Sequence, residues 1–207
     1  MPLILDRQHQ GKGGRRRNDT GCARDLDGDG TISRDEEEAY LTEGYIQAAT
    51  LAMCEPGRYC PSPVLTLGSY AERHRIAVEL ATGAPLLPFA YVACHVNAGG
   101  GDFGLVLHDH RSKAGKRLAL AIAAELTAAC PELREVQVRA CSPDDWTANA
   151  YSTIKGIYQG PSNIAGVCFE PGFIDCARHA PLWTPEGLAR IGGALGDGAY
   201  RYLYPSD

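Results

Sequence analysis

Apolar residues gather along the chain in short runs, and the intervals between them change from one period to another. Leu3 to Asp6, Pro63 to Leu67, Phe89 to Val96, Gly104 to Leu107, Val136 to Ala140 and Ala165 to Glu170 are short and mostly aliphatic or aromatic, which predicts strands. Between them the apolar positions recur three and four apart. One helical pattern follows an acidic stretch and runs to about Met53, and a second covers Tyr70 to Leu80. A third spans Ser112 to Ala129, with Leu118, Ile122 and Leu126 on one stripe. Thr184-Pro185-Glu186 predicts the start of a last helix, with a hydroxyl N-cap and proline at the first helical position. Strands alternating with helices predict a single α/β domain, a mostly parallel twisted sheet of about six strands with helices on both faces. Sites in such sheets lie at the carboxyl ends of the strands. Asp6 to His9, His95 to Asn97 and Glu170 to Phe173 would then share one edge.

Composition narrows the class. A chain of 207 residues hides roughly 70% of the surface its unfolded form exposes, enough for a sizeable core. Apolar residues at 44% and charged residues at 22% exclude a disordered or collagen-like chain. The net charge of −5 lacks the basic balance that nucleic acid would require, so no nucleic-acid partner is expected. No apolar run reaches the ~18 residues of a bilayer span, so membrane insertion is not expected either. Met1-Pro2-Leu3-Ile4-Leu5-Asp6 shows neither the charged nor the apolar region of a signal peptide, which predicts synthesis in the cytoplasm. The eight cysteines include no C-x-x-C, which excludes a zinc ribbon or a thioredoxin motif. Cys54 and Cys60, and Cys168 and Cys176, are near enough in sequence to bridge; buried reduced thiols are the alternative.

Candidate chemistry concentrates at the strand ends. His9 follows LILD, His95 stands within YVACHVNAG, and Glu170 ends GVCFE. A glutamate is seldom buried without a partner, and two imidazoles on the same edge form a natural ligand pair for Zn²⁺. Together they point to metal-assisted hydrolysis with a carboxylate that handles the proton. A second pattern lies between His9 and the first helix. Asp25, Asp27, Asp29, Thr31, Ser33 and Glu36 occupy the ligand positions of a twelve-residue EF-hand loop, with Gly30 at the sharp turn and Ile32 as the aliphatic residue. This predicts Ca²⁺, held in an inserted loop over residues 10–38 whose first part, Gln10 to Arg24, is basic and Gly-rich.

These residues carry a resemblance to the zinc-dependent N-acetylmuramoyl-L-alanine amidases of the Amidase_3 type. Asp6-Arg7-Gln8-His9-Gln10-Gly11 resembles that family's D-P-G-H-G-G turn, with Arg7, Gln8 and Gln10 replacing the proline and two glycines. Tyr91-Val92-Ala93-Cys94-His95-Val96-Asn97-Ala98 resembles its F-V-S-I-H-A-N-A strand, and Phe169-Glu170-Pro171-Gly172-Phe173-Ile174-Asp175 its V-E-x-G-F-x-x-N segment. Ser69 to Ala77 resembles a family helix that carries an arginine. The order holds from Leu3 to Tyr202, so residues 1–207 read as one catalytic domain. The resemblance implies an enzyme with zinc on His9, His95 and a helix glutamate, with Glu170 as the catalytic carboxylate and Asn97 at the substrate. Register favours Glu43 as that glutamate, with Glu36, Glu37 and Glu38 as rivals. Peptidoglycan is the implied partner, reached after release or delivery by another route; no protein partner is implied. Two alternatives stand beside this. One is a calcium-dependent binding module on a scaffold that has lost zinc, and the other a zinc peptidase acting on another amide.

The remaining candidates are weaker. His108 and His110, two apart after a strand, form a possible metal pair or a polar turn near the cleft. His74 and His179 suit surface or cap positions, and Arg15-Arg16-Arg17 a solvated loop. Trp146 and Trp183 suit a core or a groove wall.

Overall fold

Alternation along the strands decides the architecture. In the computed structural model, which describes residues 3–9, 20–55, 58, 64–65 and 68–205, β1 (Leu3–Arg7) sends Leu3 and Leu5 into one apolar cluster and Ile4 into another. β3 (Phe89–Cys94) divides likewise, with Ala90, Val92 and Cys94 on one side and Phe89, Tyr91 and Ala93 on the other. In β6 (Ile164–Glu170), Ala165, Val167 and Phe169 oppose Ile164 and Cys168. Strands buried on both faces read as unbroken apolar runs, which is why the sequence announces them.

β2 (Val64–Leu65), β4 (Gly104–Asp109) and β5 (Val136–Cys141) complete a sheet of order β2-β1-β3-β6-β4-β5. Every neighbouring pair is parallel except β4 with β6. The expected six-strand, mostly parallel α/β sheet is therefore what forms. The one antiparallel pairing has a consequence: Leu105 pairs with Glu170 and His108 with Val167, so the carboxyl end of β4 lies at the edge opposite Glu170. His108 and His110 are thus remote from the other candidate residues and do not line the cleft; their Nδ1 atoms lie against the Asp109 and Cys141 carbonyls. Pro63, Thr66 and Leu67 of the expected second strand lie outside the described residues.

Helices α1 (Glu38–Met53), α3 (Lys113–Ala129) and α5 (Pro185–Leu203) cover one face. α2 (Tyr70–Gly83) and α4 (Ala148–Tyr158) cover the other. Thr184 caps α5 as expected, its hydroxyl accepting from Gly187 N–H at 3.2 Å. Ser69 closes a capping box with Glu72 at the start of α2. α5 presses so closely on α1 that a Cβ at Gly192 would lie 2.3 Å from the Tyr45 carbonyl oxygen. Glycine there is a condition of the packing. α4 has no counterpart among the predicted helices: Ile154 and Ile157 are its buried apolar anchors, and the weak helix formers Asn149, Ser152, Thr153 and Gly156 interrupt the apolar pattern.

Of the inserted loop, residues 10–19, including the three arginines, lie outside the described residues. From Thr20 the chain returns to the body: Cys22 O accepts from Glu38 N–H at 2.8 Å, Thr20 O from Ala39 N–H at 3.0 Å, and Glu36 O from Arg24 N–H at 3.3 Å. Cys168, Cys176 and Cys54 are free thiols, so the Cys168–Cys176 bridge does not form; Cys60 lies outside the described residues. Trp183 is buried in the core and Trp146 is exposed. No helix among the described residues is long and apolar enough to cross a membrane.

Candidate metal centre and cleft

The site begins with a buried charge. Asp6, near the carboxyl end of β1, is fully buried, and Arg73 from α2 reaches it with Nε 2.9 Å from Oδ1. Tyr91 hydroxyl and Gln8 Nε2 also donate to Asp6, and Arg73 donates to the Gly68 carbonyl (3.1 Å) and to Gln8 Oε1 (3.3 Å). Burial raises the Asp6 pKa, opposed by the Arg73 charge and the Tyr91 hydrogen bond. Gln8, which departs from the family's turn, is thus spent on this network. Its neighbour His9 is left at the sheet edge.

Three side chains from separate elements meet there. His95 follows β3 directly and is fixed by its backbone, its N–H donating to the Phe169 carbonyl (2.9 Å) while its own carbonyl accepts from Tyr45 hydroxyl (2.9 Å). Glu38, the first residue of α1, places Oε1 3.1 Å from His95 Nδ1 and 3.4 Å from His9 Nε2. The same carboxylate accepts from Val96 N–H and Cys22 N–H, each at 2.9 Å. The His9 and His95 rings stand edge to face, 5.4 Å between centroids. Burial opposes charge on Glu38. The hydrogen bond from His95 and the charges of His95 and His9 overcome it and hold the pKa at about 2. His95 also suffers desolvation, yet Glu38 raises its pKa above the usual value.

This trio fits a divalent ion. One donor atom from each of His9, Glu38 and His95 lies within 4.8 Å of the other two. His95 Nε2 is buried with no hydrogen-bond partner among the described residues. A pair of imidazoles and a carboxylate is a zinc-type donor set, and a buried orphan nitrogen is costly unless something uses it.

Glu43, expected as the glutamate ligand, is not in this cluster. It lies five residues further along α1, about 140° around the helix axis from Glu38, and forms a salt bridge with Arg7 at 2.7 Å. Its rival Glu38 lies in the cluster instead. The register of apolar positions favours Glu43, and the deciding fact is instead burial at the helix start, where Glu38 is 3% exposed.

Glu170, at the end of β6, faces the same cluster. Asn97 donates from Nδ2 to Glu170 Oε2, and Cys168 Sγ lies 3.8 Å from Oε1. Burial pushes the Glu170 pKa upward and the Glu38 charge adds to that, against the lowering effect of His95. Asn97 is itself pinned by segment 172–174, its N–H donating to Gly172 O (3.0 Å) and its carbonyl accepting from Ile174 N–H (2.9 Å). The expected substrate residue Asn97 is therefore held against Glu170. His179, expected at the surface or a cap, is fully buried beneath this segment and accepts from Phe173 N–H at 2.9 Å. His74 is buried too, with Nε2 2.6 Å from the Thr153 carbonyl.

His9, His95 and Glu170 form one part of an open cleft of about 1080 Å³ whose walls are α2 and α4. The α4 wall of this cleft was not among the helices expected from the sequence.

The acidic loop packs beside α1. Donor atoms of Asp25, Asp27 and Asp29 lie within 4.8 Å of one another. Asp25 accepts from Gly28 N–H (2.7 Å) and Gly30 N–H (2.9 Å), and Thr31 hydroxyl donates to Asp29 (2.6 Å). Glu36, at the twelfth position, is not in the acidic cluster. Its carboxylate accepts from Ser33 N–H (2.7 Å), Ser33 hydroxyl (2.9 Å), Asp27 N–H (3.2 Å) and Leu26 N–H.

The six-stranded α/β fold has parallels among solved structures. The N-acetylmuramoyl-L-alanine amidase AmiC2 of Nostoc punctiforme superposes over 98% of this chain and 97% of its own, with TM-score 0.67 and 16% identity. An N-acetylmuramoyl-L-alanine amidase from Clostridium difficile 630 covers 98% and 96%, with TM-score 0.68 and 13% identity. The CwlD amidase from Clostridioides difficile, solved in complex with the GerS lipoprotein, covers 98% of both chains with TM-score 0.65 and 17% identity. The described chain thus has the fold of amidase catalytic domains. No protein-family profile and no curated protein matches the sequence.

Proposed function

We propose that the protein is a zinc-dependent hydrolase that cleaves the amide between the lactyl group of N-acetylmuramic acid and L-alanine in peptidoglycan. The observation that carries this reading is the convergence of His9, Glu38 and His95 beside Glu170 in an open cleft, on a fold shared with amidases. His9, Glu38 and His95 would hold the ion. When bound, zinc supplies Lewis acidity, which polarises an amide carbonyl and makes water more acidic.

The chain's own residues do the rest. Glu170 accepts the proton from water at a carboxylate oxygen and returns it to the departing amine. Its burial raises its proton affinity toward the range useful for both steps. Asn97 orients that carboxylate from Oε2, leaving Oε1 on the other side. The Asp6–Arg73–Gln8 network fixes the turn that presents His9. The intact cluster also weighs against a module that has lost zinc. The substitutions in the first turn are absorbed elsewhere, Arg7 by Glu43 and Gln8 by Asp6 and Arg73.

The acidic loop is proposed to bind calcium through Asp25, Asp27, Asp29, Thr31, Ser33 and Glu36, with Glu36 turning from the loop backbone to the ion. Support comes from the complete twelve-residue pattern and the clustered aspartates. Because Cys22 donates to Glu38 and the loop closes two residues before it, bound calcium would structure the chain beside the zinc ligand.

Digestion of purified peptidoglycan, with mass analysis of the products, tests the reading. Wild type should release intact stem peptides with a free L-alanine amine. Glu170→Gln should lower the rate by about 10²–10⁴-fold. Release at wild-type rate by both Glu170→Gln and His95→Ala contradicts the mechanism.

A further inference from the structure

The α2–α4 cleft carries a charge pattern that the cleavage chemistry does not use. The protein is acidic overall, yet Arg75 and Lys155 line this cleft, and Glu170 is the only carboxylate among the described lining residues. The two cations differ. Arg75 is already occupied by Glu79 on its own helix, at 2.6 Å. Lys155 is exposed and has neither an ion pair nor a hydrogen bond among the described residues. An unpaired ammonium in a substrate cleft is a recognition group for an anion.

The position of Lys155 says how far along the substrate that anion sits. Ile157 packs against Gly166, four residues back along β6 from Glu170, a drop of about 13 Å at the usual strand rise. Lys155 precedes Ile157 and follows Thr153, which is hydrogen-bonded to His74 on the opposite wall. It therefore lies part of the way down the cleft from the reacting edge. An extended peptide advances about 3.3 Å per residue, so a carboxylate on the second residue beyond the cleaved bond is about 7 Å away, within reach of a flexible lysine stem. In a peptidoglycan stem the second residue is a γ-linked D-glutamate, whose α-carboxylate is either free or amidated.

We infer that Lys155 is a specificity-determining residue that binds the free α-carboxylate of that γ-linked glutamate and disfavours its amidated form. The inference rests on the amidase reading above and adds the choice of substrate. Lys155 touches the stem peptide and takes no part in the proton transfers.

The experiment compares matched muropeptides with free and amidated glutamate, by hydrolysis and by peptide binding with the zinc-supplied full chain. Wild type should prefer the free carboxylate by about tenfold, the worth of one hydrogen bond to a charged group, with the difference in KM. Lys155→Gln should bring the two substrates to within about twofold at unchanged kcat for the amidated one, and Lys155→Arg should keep the preference. Equal discrimination by wild type and Lys155→Gln overturns the inference. Failure of the amidase reading looks different: wild type cleaves neither muropeptide at the lactyl amide, while preferential binding of the free carboxylate, lost in Lys155→Gln, still upholds the role of Lys155. Absence of both cleavage and preferential binding overturns the two together.

Discussion

Arg73→Met removes the cation beneath the site and keeps its bulk. Arg73 is 2% exposed and Asp6 is fully buried, so the substitution strands an ionised carboxylate away from water. Breaking a buried pair by deleting one partner costs about 3–5 kcal/mol, a large part of the ~5–15 kcal/mol that holds a domain together. The loss depends on pH, and its sign follows from Asp6. Its folded pKa already lies above the ordinary carboxylate value, and deleting Arg73 raises it further. The folded state then binds a proton more readily than the unfolded state. The penalty is full at neutral pH and shrinks as pH falls through that raised folded pKa. Urea denaturation of wild type, Arg73→Met and the double variant Asp6→Asn/Arg73→Met at pH 7.5 and pH 5 would measure this. Arg73→Met should lose about 3–5 kcal/mol at the higher pH and less at the lower, and the second substitution should restore part of the loss. A loss below about 1 kcal/mol at both values would contradict the view that this pair sustains the sheet edge.

Two further consequences are open to measurement. Gly192→Val places side-chain atoms against the backbone of α1, since even a Cβ would lie 2.3 Å from Tyr45 O; denaturation should show a loss of about 1–3 kcal/mol, and unchanged stability would mean that α5 sits further from α1. The raised pKa of Glu170 means that it loses its base form sooner as pH falls, so kcat on peptidoglycan should decline on the acid side while pH is still above the ordinary glutamate value of 4.5. An acid limb at or below that value would place Glu170 in an unshifted environment.

The body of the sheet was legible because β1, β3, β4 and β6 are buried on both sides. Runs such as Leu3–Leu5 and Ala165–Phe169 can occupy few other places. The two histidines and Glu170 were legible for a related reason, each following such a run at a strand end. Helix α4 was not, because its outer face is a polar cleft wall with weak helix formers, and its stability comes from Ile154 and Ile157 packing on the sheet. Nor was the choice between Glu38 and Glu43. The helical register points to Glu43, and only the tertiary approach of Cys22, Val96 and His95 makes Glu38 the buried carboxylate. The reversed direction of β4 was equally hidden, since an apolar run looks the same whichever way it pairs.

The central claim is that His9, Glu38 and His95 hold one zinc ion. Elemental analysis of protein purified without chelator addresses it directly, on wild type, Glu38→Gln and Glu43→Gln. The account predicts about one zinc per chain in wild type and in Glu43→Gln, and little in Glu38→Gln. Full zinc occupancy in Glu38→Gln, or its loss in Glu43→Gln alone, would contradict it.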